Sequence, residues 1–143
     1  MYLVLTHSLP KTVYGAVRWF DGKPLIQVSD YGKDLATCWF TLFHEIGHVL
    51  KHKNIPAYEA DINNENNDKK ERVANKFANE YLFNGDDLRK AVFDRKHSGK
   101  EMSTEKLSNE FNVPPIFTAY WLIKAQYKPK QQQGHRFHIE FSC

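Results

Sequence analysis

The sequence predicts an α+β fold, a short antiparallel β-hairpin packed on a mainly helical body. Three observations predict it. Tyr14 to Phe20 and Leu25 to Ser29 are rich in strand-forming residues and flank Asp21-Gly22, a tight-turn signal. In residues 35–52, Leu35, Trp39, Leu42, Phe43, Ile46, Val49 and Leu50 cover more than half of a helical circumference, as in a mostly buried helix. Further on, Val73, Phe77 and Tyr81 recur every four residues, with Ala74, Ala78 and Leu82 beside them. With 143 residues, 41% of them hydrophobic and 26% charged, the chain has the size and composition of one globular domain with a core.

Taken in order, residues 2–6 read as a short strand and residues 13–29 as a hairpin. Pro24 opens the second hairpin strand, where its missing N–H does least harm. Asp34 is placed to cap the helix over 35–52. Asn54 to Asp68 reads as a polar loop, with Asn67 or Asp68 capping a helix that runs to Phe83. Asn84-Gly85 stops that helix. A third helix spans about 86–96. Ser103 starts a fourth, Asn112-Val113-Pro114-Pro115 is a turn, and a fifth helix runs from Ile116 to Tyr127. The expected organisation is a single domain over 1–127, then a polar linker and tail over 128–143. His135 to Phe141 alternates enough for an edge strand.

Composition narrows the function classes. A net charge of +3 makes no case for nucleic acid as partner. The two cysteines, Cys38 and Cys143, form no disulfide framework and fit a reducing compartment. Tyr2-Leu3-Val4-Leu5 is too short for a secretory core, and no apolar run approaches the ~20 residues that span a bilayer. A cytoplasmic protein without membrane contact is the expectation.

The chemistry is concentrated in His44-Glu45-Ile46-Gly47-His48, a His-Glu-x-x-His pattern inside the apolar helix. Residues four apart lie about 40° apart around a helix and ~6 Å along it, so two imidazoles can aim at one point. Glu45 then reaches a water at that point. This is the layout of a zinc hydrolase, with His44 and His48 as ligands and Glu45 as general base.

A catalytic zinc takes three protein ligands. His52 continues the spacing but sits ~12 Å along the axis from His44, too far for one ion. A turn-back to a third histidine needs glycine three places after the second, where this chain has Lys51. A carboxylate from the next helix remains, with Glu59, Asp61, Glu65, Asp68, Glu71 and Glu80 as candidates. Glu71 is preferred. It lies near the start of a helix whose apolar face packs inward, and it shares a helical face with Asn75, which can hydrogen-bond a ligand from behind.

His44-Glu45-Ile46-Gly47-His48 followed by Glu71-Arg72-Val73-Ala74-Asn75-Lys76-Phe77-Ala78 resembles the ImmA/IrrE family of bacterial metallopeptidases. That family joins His-Glu-x-x-His to a second helix bearing Glu-x-x-Ala-Asn-x-Phe-Ala. Val13 to Phe40, with Tyr-Gly-Ala-x-Arg-Trp near its start, is similar to the segment before the motif in members fused to a helix-turn-helix regulator. The likeness covers about residues 13–125. It implies a gluzincin-like core, with zinc on His44, His48 and Glu71 and with Glu45 as base. It also implies a protein substrate, a helix-turn-helix repressor or an antitoxin, in mobile elements, stress responses or toxin–antitoxin loci. A separately encoded regulator of that kind is the expected partner. One departure concerns the wall beside the site: the family's Leu-Leu-x-Pro is replaced by Tyr81-Leu82-Phe83-Asn84-Gly85.

Two rival readings stand beside this. A zinc-binding interaction module would keep fold and metal without turnover, but a scaffold has no need of Glu45. A helix-turn-helix over Ser103 to Tyr127 would bind DNA, but Phe117, Tyr120 and Trp121 make its second helix aromatic, and Lys124 and Lys128 are sparse for phosphate contacts. Direct nucleic-acid binding is therefore not expected. Tyr58, Tyr81, His97 and Tyr120 are the candidates for an oxyanion donor.

Overall fold

The computed structural model describes residues 1–7, 14–30, 34–51 and 65–126. Three strands come first: β1 (Tyr2–Thr6), β2 (Gly15–Phe20) and β3 (Lys23–Ser29). Five helices follow: α1 (Leu35–Lys51), α2 (Glu65–Phe83), α3 (Asp87–His97), α4 (Thr104–Phe111) and α5 (Pro115–Lys124). The fold is α+β. It divides into two compact units, Met1–Ala78 and Asn79–Cys143, the division falling within α2.

In the first unit the strands form one sheet in the order β1-β3-β2. β2 and β3 are the expected hairpin, with Val17 opposite Ile26 and Phe20 opposite Lys23. Asp21 (φ 48°) and Gly22 (φ 70°) are both left-handed, the backbone of a turn that follows the twist of its strands. β1 pairs with the other side of β3 in parallel, Tyr2 opposite Leu25 through Thr6 opposite Ser29. Its partner was not readable from alternation alone.

One face of the sheet lies on α1. Ile26 and Val28 from β3 and Val49 from α1 are the buried centre, with Val17, Trp19, Cys38, Leu42 and Ile46 packed around them. Cys38, Leu42, Ile46 and Val49 are one stripe of the helix, at i, i+4, i+8 and i+11. Asp34 caps α1 as expected, its carboxylate accepting from the Thr37 N–H at 2.8 Å.

A second face of α1 meets α2 at Gly47. A Cβ there would lie 3.1 Å from Ala74 Cα, 3.3 Å from Ala74 O and 3.2 Å from Phe77 Cβ. Ala74 and Ala78 are fully buried. Small residues on both helices thus let the backbones approach, which brings the polar edge of α2 beside the histidines of α1.

The second unit has its own core, in which Leu88, Val92, Leu107 and Val113 are buried. Phe83 is its centre. Its ring lies 5.6 Å from that of Phe117, 5.5 Å from Tyr120 and 5.4 Å from Trp121, centroid to centroid. The aromatic face of α5 is a packing face. Ser103 caps α4 by accepting from the Lys106 N–H at 3.2 Å. Asn112 (φ 51°) ends that helix, and Pro115 occupies the first turn of α5.

Two boundaries differ from expectation. α2 begins at Glu65, not after Asn67 or Asp68. Residues 63–68 hold no Pro or Gly to stop a helix, and acidic residues suit a helix N-terminus. α5 ends at Lys124, short of Tyr127, because Gln126 takes a left-handed backbone (φ 54°). Residues 54–64, where the polar loop with Tyr58, Glu59 and Asp61 is expected, lie outside the described residues, as do His52 and residues 128–143, the expected linker and tail. Among the described residues no helix is long and apolar enough to cross a membrane.

Candidate metal centre

α1 supplies His44, Glu45 and His48, and α2 supplies Glu71 and Asn75. The two imidazoles converge as their spacing dictates: His44 Nε2 and His48 Nε2 are 3.0 Å apart. The Glu71 carboxylate closes the triangle, with Oε2 at 3.2 Å from His44 Nε2 and Oε1 at 3.2 Å from His48 Nε2. Among the described residues these three form the one cluster able to hold a metal ion, their ligand atoms all within 4.8 Å of one another.

The donor set fits a divalent ion such as zinc. Atoms about 2.0–2.2 Å from one tetrahedral centre lie about 3.3–3.6 Å apart, within a few tenths of an ångström of the spacings here. His44 Nδ1 donates to Asn75 Oδ1 at 2.9 Å. That bond holds the proton on Nδ1 and leaves the Nε2 lone pair facing the cluster. Asn75→Ala removes it, and the expected result is a metal affinity about 10–100-fold weaker with the ligands intact, read by chelator competition. A side chain in ordinary surface contact would leave the affinity unchanged.

The electrostatics of the cluster follow from its crowding. Hydrogen bonds from His44, and then from His48, hold the Glu71 carboxyl well below the usual carboxylate range. Burial works against charge on His44, but its hydrogen bond to Glu71 and the nearby Glu45 and Glu71 carboxylates outweigh that and raise its pKa. Burial raises Glu45, against the pull of His44 and His48 and with the help of Glu71. Metal binding requires neutral His44, so an ion competes with the proton held there. His44 is raised, so affinity is full above its pKa and falls as pH drops through it. The fall begins at a higher pH than for an ordinary histidine. Competition titrations between about pH 5 and pH 9 check this, and a midpoint below the ordinary histidine value contradicts it.

Glu45 is the buried ionisable member of the motif and interacts electrostatically with His44, His48 and Glu71. It is buried, 8% exposed, between α1 and the start of β2. A Cβ on Gly15 would lie 2.9 Å from Glu45 Oε1, 3.1 Å from Glu45 Cγ and 2.5 Å from Thr41 Cγ2. Sequence reading missed Gly15 and Thr41. An isolated glycine in a strand pattern is the one available signal, since it marks a close approach.

The oxyanion candidates fare differently. Tyr120 is buried beside Phe83, Tyr81 is 66% exposed, and His97 Nδ1 donates to Phe93 O at 2.7 Å. All three belong to the second unit, while Tyr58 lies outside the described residues.

A helix carrying His-Glu-x-x-His beside a second helix that supplies a carboxylate defines a metallopeptidase-type site. The family comparison agrees: the model of the IrrE N-terminal-like domain, the peptidase M78 family, matches residues 2–122. The chain belongs to that family of metallopeptidases. No curated protein matches it.

Proposed function

We propose that this chain is a zinc-dependent endopeptidase that cuts a DNA-binding repressor or antitoxin-type regulatory protein in the bacterial cytoplasm. The observation that carries the reading is the convergence of His44, His48 and Glu71, with the buried Glu45 one residue from the first of them. Membership of a metallopeptidase family supports hydrolysis. The likeness of the two motif helices to ImmA/IrrE peptidases supports a regulatory protein as substrate.

His44, His48 and Glu71 would hold the zinc, which when bound polarises a peptide carbonyl and makes a water acidic. Glu45 accepts the proton of the attacking water. It then delivers that proton to the leaving amine nitrogen as the C–N bond breaks. Burial suits this role, because a raised carboxyl pKa brings proton acceptance and proton delivery closer in energy. Asn75 fixes the His44 ring throughout.

The test is incubation of the zinc-loaded chain with purified helix-turn-helix repressors and antitoxins, followed by mass spectrometry of the products. A defined cut that disappears with chelator and returns with zinc supports the proposal. A repressor bound equally with and without zinc and never cut supports the interaction-module reading instead.

A further inference from the structure

We propose that Gly15 is a positioning residue: its missing side chain forms the slot that sets where the Glu45 carboxylate stands. This rests on reading Glu45 as the general base. Gly15 opens β2 and lies opposite Val28 of the central strand, so its main chain is held by the sheet. It is not among the glycines with a left-handed backbone, which are Gly22, Gly85 and Gly99, each with open space where a Cβ would stand. The requirement at position 15 is therefore space. A Cβ there would intrude on Glu45 Oε1 at 2.9 Å and on Thr41 Cγ2 at 2.5 Å, both nearer than Cβ contacts normally come.

Glu45 cannot retreat freely from such an intrusion. Its Cγ is also against the slot, at 3.1 Å from the same position, so both the stem and the tip of the side chain rest on β2. The strand main chain thus acts as a wall that limits the carboxylate's rotation about its own bonds. His44 and His48 lie about 100° and about 60° around the helix from Glu45, and the three atoms nearest a Cβ at position 15 belong to Thr41 and Glu45. A misplacement of about 1 Å at a reacting group can lower a rate ~100-fold.

The experiment compares the zinc-loaded wild type with Gly15→Ala, Thr41→Ser, the Gly15→Ala/Thr41→Ser double variant and Glu45→Gln. Thr41→Ser removes Cγ2 and with it the closer of the two intrusions, leaving the one on Glu45. Three readouts are taken: zinc content with thermal melting, crystal structures, and binding of acetohydroxamate, a zinc-directed probe whose hydroxyl proton passes to the base. In Gly15→Ala, zinc content is expected near wild type and melting moderately lower, because Thr41 and Glu45 must shift, with Glu45 Oε1 displaced by about 1 Å or more and acetohydroxamate bound at least about tenfold more weakly. Thr41→Ser binds like wild type, and the double variant stays weak. Glu45 unmoved in Gly15→Ala, or wild-type binding restored in the double variant, overturns the proposal. Failure of the underlying reading looks different: Glu45→Gln would bind acetohydroxamate like wild type, or the wild type would take no zinc, and the crystal structures would still show whether residue 15 places Glu45.

Discussion

Glu45→Gln is expected to keep its full complement of zinc and to lose about 100- to 10,000-fold in kcat, the range ascribed to a positioned general base. The reasoning is geometric. Gln has the volume and shape of Glu, so it occupies the slot beside Gly15 and leaves the α1–sheet packing intact. It cannot accept the water's proton. Stability should not fall, since burial already disfavours the ionised carboxylate. Metal analysis, thermal melting and steady-state kinetics on a cut repressor check all three parts. Full activity with bound zinc would remove Glu45 from the mechanism.

Glu71→Ala is expected to strip the metal. It deletes one of three ligands, so the loss of affinity should exceed the about 10–100-fold expected for Asn75→Ala. The carboxylate also accepts from both imidazoles, each oxygen 3.2 Å from one Nε2. Without it the rings lose the hydrogen bonds that order them in the metal-free chain. Glu71 itself is about half exposed, so its removal leaves no cavity and the fold should persist. Chelator competition and circular dichroism together check this. Unchanged affinity with an unchanged fold would mean that another group supplies the third ligand.

How far the site was legible depended on whether each part is local in sequence. His44 and His48 follow from helix geometry alone, and Asp34 and Ser103 announce their caps within three residues. Asp21-Gly22 announces its turn in the same way. Glu71 needed an argument about which face of a later helix packs inward, and the structure brings it to the histidines through the Gly47–Ala74 approach. Gly15 lay beyond such reasoning, because its meaning depends on a side chain thirty positions later that reaches it only across the sheet–helix interface. β1 is similar. Its short run of strand-forming residues marks a strand, but parallel pairing with β3 is decided by the hairpin that comes between them. The start of α2 was misplaced because asparagine-rich polarity suggested a loop, although nothing in it breaks a helix.

The central claim is that His44, His48 and Glu71 hold one metal ion together. X-ray absorption on the zinc-loaded chain tests it most directly, with Glu71→Ala measured alongside. Two imidazole nitrogens at about 2.0–2.1 Å and carboxylate and water oxygens at about 2.0–2.2 Å are expected in a four-coordinate site. This signal is expected to disappear in Glu71→Ala. A zinc coordinated by oxygen alone, or an imidazole signal unchanged in Glu71→Ala, would contradict it.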